Sequence, residues 1–200
     1  MTVIMGYKTK DKIYLGADNR TSTVDDVLIR DDANKIVVVN DNVAVAFSGY
    51  GGTQKIFEKV TKDIKNKQDY RVEDALRNLK MIYWIYKFLW YRKASKDAFT
   101  YGSRFIVAGK NRKDEYCMYI MSILYGKLEK PSLIDRILIP PSDASAKECV
   151  DAYATNFYSH NDFIQRTVKD VAKISKLVST SGDIWTCDMT TGKSTLEHFS

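Results

Sequence analysis

The second residue of the chain is a threonine, and removal of Met1 would leave Thr2 as a first residue with a free α-amine. A terminal threonine carries a nucleophile and a base together. An α-amine titrates near about 7.7 to 8.0, so much of it is neutral at neutral pH, on the same residue as the hydroxyl it deprotonates. Such a site calls for a cation to hold the amine's pKa low, a carboxylate to fix that cation, and a backbone N–H for the developing oxyanion. Other catalytic arrangements are not met. The two histidines, His160 and His198, stand late in the chain and outside any Ser/His or Cys/His pattern. Ser48-Gly49-Tyr50-Gly51-Gly52 lacks both the GxGxxG spacing and the following Lys-Ser/Thr of a phosphate loop. Cys117, Cys149 and Cys187 lie far apart with no CxxC pair, which argues against a disulfide framework and a zinc site. No metal and no cofactor are expected, and the compartment is expected to be reducing.

The elements that must position Thr2 follow from the period of the apolar residues. Residues 2–8 and 12–17 read as a hairpin around Lys10-Asp11. Residues 35–39 and 43–47 read as a second hairpin around Asn40-Asp41-Asn42, and their continuous apolar runs predict a sheet covered on both faces. Ile56, Val60 and Ile64 then recur at helical spacing, with Thr53 as the expected cap. A long aromatic helix is expected from about residue 72 to about 93, because no Gly or Pro interrupts it. Strands are expected at 104–109, 116–121, 127–128 and 137–139, helices at 145–158 and 162–175, and a last hairpin at 183–187 and 194–198 around Thr191-Gly192-Lys193. Strands and helices thus come in pairs, which predicts an α+β fold: two stacked antiparallel sheets flanked by helix pairs, a four-layer αββα sandwich. The reading is of a single domain over residues 1–200.

In this setting the sequence resembles the proteasome β subunits and the proteolytic subunit of the bacterial two-component ATP-dependent protease, both N-terminal-nucleophile (Ntn) hydrolases. Thr2 opens the first strand, and Gly16-Ala17-Asp18-Asn19-Arg20-Thr21 is similar to the family's Asp-Ser-Arg-x-Thr segment, its aspartate sixteen residues after the threonine. Asn34-Lys35-Ile36 resembles the segment of the active-site lysine, one residue later here, and Ser48-Gly49 matches a Ser-Gly whose glycine lies fourteen residues after that lysine. Ser179-Thr180-Ser181-Gly182 resembles the late Ser-Gly near the nucleophile. The resemblance implies that Thr2 supplies the attacking hydroxyl and the α-amine, and that Lys35 supplies an ammonium that depresses the amine's pKa. It further implies that Asp18 pairs with Lys35, that the Gly49 N–H forms the oxyanion hole, and that Ser181 hydrogen-bonds the amine. Two positions depart from the family's pattern. Val178 stands where the family has an aspartate supporting the nucleophile, and Pro140-Pro141-Ser142 replaces a Gly-Ser-Gly.

Taken singly, these residues have plain structural readings. Asp18 reads as a turn residue ending a strand, Lys35 as a solvated strand end, and Gly49 as a hinge into a helix. Their common register is what points to chemistry. The activity it implies is a threonine-type peptidase acting on peptides or unfolded proteins, in a homo-oligomeric ring served by an ATP-dependent unfoldase. A non-catalytic assembly subunit and an Ntn amidase acting on small amides are the alternatives. The 200 residues carry 31 Lys and Arg against 25 Asp and Glu, a net charge of +6 interspersed in sign, which implies no nucleic-acid partner. The aromatic run 83–93 reads as a helix with more apolar area than one face can bury, the surplus going to a neighbouring subunit. The richest apolar stretch, broken by Lys87, is too short to span a bilayer, and the start of the chain lacks a signal-peptide pattern. A cytoplasmic protein with no membrane partner is therefore expected.

Overall fold

The computed structural model describes residues 2–22, 28–62, 64, 67–158 and 162–200. Met1 and His160 lie outside the described residues.

The chain opens with β1 (Ile4–Lys8) and β2 (Lys12–Asp18), a hairpin in which Ile4 faces Ala17 and Lys8 faces Ile13. A short pair, β3 (Thr21–Ser22) and β4 (Leu28–Arg30), follows. Next come β5 (Ile36–Asn40) and β6 (Val43–Gly49), with the Asn40 side chain accepting the Asn42 N–H at 2.9 Å across the turn. Three helices succeed them: α1 (Gly51–Lys62), α2 (Val72–Phe88) and α3 (Lys93–Tyr101). Then come β7 (Ser103–Lys110), β8 (Tyr116–Leu124), β9 (Lys127–Leu128), β10 (Ser132–Leu133) and β11 (Arg136–Ile139). Helices α4 (Ala146–Phe157) and α5 (Phe163–Ile174) precede the closing hairpin of β12 (Gly182–Asp188) and β13 (Ser194–Phe199).

Two antiparallel sheets result, one in the order β11-β1-β2-β12-β13 and one in the order β10-β8-β7-β6-β5, with β9 paired to β8. The alternation of side chains along each strand sorts the apolar runs into layers. Ala44 and Ala46 of β6 and Ile106 and Ala108 of β7 meet Ile4, Ile13, Leu15 and Ala17 between the sheets. Their neighbours Val43, Val45, Phe47, Phe105 and Val107 face outward against Phe57, Val72, Leu79 and Ile82 of the helices. On the opposite outer face Val3 and Met5 pack with Tyr153 of α4 and with Ile164, Val168 and Val171 of α5. The αββα layering and the α+β class expected from the element order are therefore present.

Two local expectations are corrected. The long helix ends at Phe88, and a separate α3 starts after Arg92, whose backbone is extended at φ −81°, ψ 145°. No breaker residue signals this break. Burial of Ser95 and Ala98, at 2% and 1% exposure, turns the chain back onto the core, so tertiary packing overrides helix propensity. Thr53 does not cap α1, which begins two residues earlier at Gly51; its buried hydroxyl instead meets Ser103 Oγ at 3.0 Å and Tyr86 Oη at 3.4 Å. The β3-β4 pair and β10 were not foreseen, because strands of two or three residues are too short to show an alternation in the sequence.

Candidate active site

Asp18, the last residue of β2, has no exposed surface, and Lys35, just before β5, is 5% exposed. They meet at the end of the sandwich where β1 begins. Lys35 Nζ donates to Asp18 Oδ1 at 2.9 Å, and the same oxygen accepts the Val3 N–H at 3.0 Å. The Asp18 N–H returns a bond to the Val3 carbonyl at 3.3 Å. Residue 2 is thereby held one peptide from the ion pair, and Thr2 itself is buried at 7% exposure. Asp18 Oδ2 accepts the N–H groups of Arg20 at 3.0 Å and Ser179 at 3.2 Å. With four donors on its two oxygens the buried carboxylate is compensated as a buried charge must be. Burial pushes the Lys35 ammonium below the ordinary lysine pKa, and the charge of Asp18 opposes that push.

Gly49 ends β6 opposite Ser103 and is exposed. Its φ is +98°, and a Cβ there would run into the Gly102 carbonyl oxygen, so only glycine fits without strain. The Phe47 N–H donates to the Lys35 carbonyl at 2.9 Å, which brings the end of β6 alongside Lys35. Gly49 stands two residues beyond that bond. Ser181, half-buried, precedes β12, whose Gly182 lies opposite Asp18. The Ser181 carbonyl accepts the Asn19 N–H at 3.1 Å, and its hydroxyl lies 2.9 Å from Ser179 Oγ. The fold therefore draws Thr2, Asp18, Lys35 and Ser181 to one place, and sets Gly49 on the strand that neighbours Lys35.

Val178 brings no carboxylate to this place. It is 2% exposed and packs in the helix-side cluster with Val3, Phe163 and Val171. Pro140-Pro141-Ser142 links β11 to α4.

Other contributors to the neighbourhood carried no assigned role in the sequence patterns. The Arg20 guanidinium holds Asp31 at 2.6 and 2.9 Å and donates to the Lys176 carbonyl at 2.7 Å, and its hydrogen bond keeps the Asp31 carboxyl below the usual carboxylate range. The Asn19 amide turns its nitrogen to Asp183 Oδ2 at 2.8 Å and to the Ala33 carbonyl at 3.2 Å, and its oxygen to His198 Nδ1 at 3.1 Å. Asn19 and Arg20 directly follow Asp18 in the chain, so the aspartate segment was a pointer to both. His198 joins through β13 and Ser179 through the segment before β12, a closure that sequence spacing does not reveal. Among the described residues no group of three or more His, Cys, Asp or Glu side chains is arranged to hold a metal ion.

The family profile described as "Proteasome subunit" matches residues 2–128, well over half of the 200-residue chain. The chain belongs to the proteasome subunit family. No curated protein matches this proteasome-family chain closely enough to be called a relative. The matched stretch runs from Thr2 through β9 and holds Asp18, Lys35 and Gly49, while Val178 and Ser181 fall beyond it. No helix among the described residues is long and apolar enough to cross a membrane.

Proposed function

We propose that this chain is a threonine-type peptidase subunit that hydrolyses peptide bonds through Thr2 once Met1 is removed. The observation that carries the reading is the buried Lys35–Asp18 pair, whose shared oxygen also takes the N–H immediately after Thr2. A cation fixed there disfavours protonation of a neighbouring amine and keeps it a base.

In the proposed reaction the neutral α-amine takes the Thr2 hydroxyl proton as Oγ1 attacks the substrate carbonyl carbon. The Gly49 N–H receives the oxyanion of the tetrahedral intermediate. Collapse breaks the C–N bond; the proton held by the amine passes to the leaving amine, and an ester to Thr2 remains. Water, deprotonated by the same α-amine, attacks the ester, and the second collapse frees the acid and returns the proton to Oγ1. Lys35 supplies the positive charge, Asp18 fixes it, and Ser181 hydrogen-bonds the amine. Residues 1–200 act as one domain in a cytoplasmic homo-oligomeric ring, and an ATP-dependent unfoldase delivers unfolded chains to it.

Cleavage of an unfolded protein or short peptides by the Met1-processed chain, and loss of that cleavage in Thr2→Ala, is the test. Full activity in Thr2→Ala overturns the reading. A second reading, a non-catalytic assembly subunit, is favoured by Val178, whose apolar side chain is sealed in the core where the family pattern has an aspartate. Retention of Met1 in protein from the native source supports it. An amidase for small amides keeps the same chemistry on Thr2, and a substrate panel separates it from a peptidase.

A further inference from the structure

The segment from Ser175 to Ser181 is pinned at three points before β12 begins. The Ser175 hydroxyl binds both oxygens of Asp143, at 2.7 and 2.9 Å, and accepts the Leu177 N–H at 3.1 Å. The Lys176 carbonyl takes the Arg20 guanidinium, and the Ser179 N–H is delivered to Asp18 Oδ2. Ser179 is 5% exposed, while its neighbour Thr180 is exposed. The segment therefore presents Ser179 inward, towards the carboxylate that holds Lys35.

The side chain of Ser179 makes a second connection. Its Oγ accepts the Ser181 N–H at 3.3 Å and lies 2.9 Å from Ser181 Oγ. A hydroxyl has one hydrogen to donate and two acceptor sites. Ser179 Oγ accepts from the Ser181 backbone and still has both an acceptor site and its own hydrogen for Ser181 Oγ, so either hydroxyl can supply the hydrogen of that contact. With Ser179 as the donor, Ser181 keeps its own hydrogen for a third group. Without that partner the half-buried Ser181 hydroxyl is free to rotate among its rotamers.

We propose that Ser179 is a positioning residue that ties the Ser181 hydroxyl to the Asp18 carboxylate and thereby aims Ser181 at the amine of Thr2. The inference rests on the threonine-peptidase reading and adds to it a residue that the family pattern does not supply. The backbone N–H of Ser179 registers the loop on Asp18, and its hydroxyl fixes the direction of Ser181. The two serines are one unit. Removing either hydroxyl loses the same orientation, and removing the second after the first loses nothing more.

The test is a double-mutant cycle on the rate at which a hydroxyl-reactive covalent proteasome inhibitor labels Thr2 in the Met1-processed protein. Ser179→Ala keeps the backbone N–H to Asp18 and deletes only the hydroxyl. It is expected to slow labelling about tenfold, the size of one orienting hydrogen bond. Ser181→Ala is expected to slow it by a similar factor, the double variant no further than Ser181→Ala alone, and Ser179→Thr, which keeps a hydroxyl, is expected to recover most of the rate. A purely structural role for Ser179 would instead make the two losses multiply. Multiplying losses, or wild-type labelling in Ser179→Ala, overturns the inference while leaving the peptidase reading in place. A wild-type protein that is never labelled at Thr2 overturns both. Circular dichroism establishes that each variant is folded, and Ser179→Cys, with its weaker donor, takes the place of Ser179→Ala if the alanine variant does not fold.

Discussion

Lys35 and Asp18 form an ion pair of 2.9 Å in which the carboxylate is the hub: besides the ammonium it accepts the N–H groups of Val3, Arg20 and Ser179. One side chain thus joins the start of β1, the end of β2, the approach to β5 and the approach to β12. The two partners are not equivalent, and their removal has unequal consequences.

Asp18→Ala strands a buried ammonium and three backbone donors, and it is expected to destabilise the protein by about 3–5 kcal/mol, the cost of breaking a buried pair. Lys35→Met leaves a carboxylate that still has three N–H donors and is expected to cost less. Urea unfolding of the two variants measures both. A larger loss in Lys35→Met than in Asp18→Ala would contradict the hub.

Gly49 is confined by its backbone at φ +98° and by the Gly102 carbonyl that a Cβ would strike. Gly49→Ala is expected to lose at least about 1–3 kcal/mol of stability, in the range of strained backbone positions. If the Gly49 N–H serves the oxyanion, Gly49→Ala also loses peptide cleavage beyond what the change in folded fraction explains. Thermal unfolding and activity of the same preparation separate the two effects.

Val178 tests whether the missing carboxylate can be restored. Because the side chain sits among Val3, Phe163 and Val171, Val178→Asp buries an unpaired charge and is expected to destabilise more than Val178→Ala does. Urea midpoints rank the two. Equal stability in Val178→Asp and wild type would mean that the position faces water or a cation in solution.

Trp84, Phe88, Trp90 and Tyr91 are 51%, 81%, 64% and 60% exposed around the end of α2, the apolar surplus foreseen for this stretch. Such a patch needs a cover, and the proposed ring supplies one. Trp84→Ser with Phe88→Ser is expected to leave the unfolding midpoint of the isolated chain within a few degrees and to shift sedimentation to smaller species. Unchanged sedimentation would show that this patch is not a subunit contact.

Burial raises the thiols of Cys117 and Cys187 from 9.0 to about 11. Between those values the native state holds protons that the unfolded chain has released, so stability falls as pH rises through that window and is unaffected by these groups below it. Urea unfolding across alkaline pH follows the loss, and replacing both cysteines by Ala removes their share of it, the share of Cys149 and of buried tyrosines such as Tyr153 remaining. Thiol-alkylating reagents are expected to react with both residues much more slowly than with a free cysteine at neutral pH.

Much of the architecture was legible because the strands carry unbroken apolar runs. In Val43-Ala44-Val45-Ala46-Phe47 alternate residues go to opposite layers, and such a run declares a strand covered on both faces. The break after Phe88 was not legible, since Leu89-Trp90-Tyr91-Arg92 has no breaker and only the burial of Ala98 dictates it. At the site, Asp18 and Lys35 were legible as candidates through register with Thr2, because Asp18 ends one strand and Lys35 immediately precedes another. The role of Ser179 was not, since it comes from a hydrogen bond closed across 161 residues, and that of Asn19 was indicated only by its place beside Asp18. Short polar segments leave no periodic trace of such closures.

The central claim is that Thr2, freed of Met1, is a nucleophile tuned by Lys35 and Asp18. Mass spectrometry of protein from the native source, treated with a hydroxyl-reactive covalent proteasome inhibitor and digested, tests it most directly. The account predicts a peptide that begins at Thr2 and carries the adduct on that residue. An unmodified peptide that still begins at Met1 would contradict it.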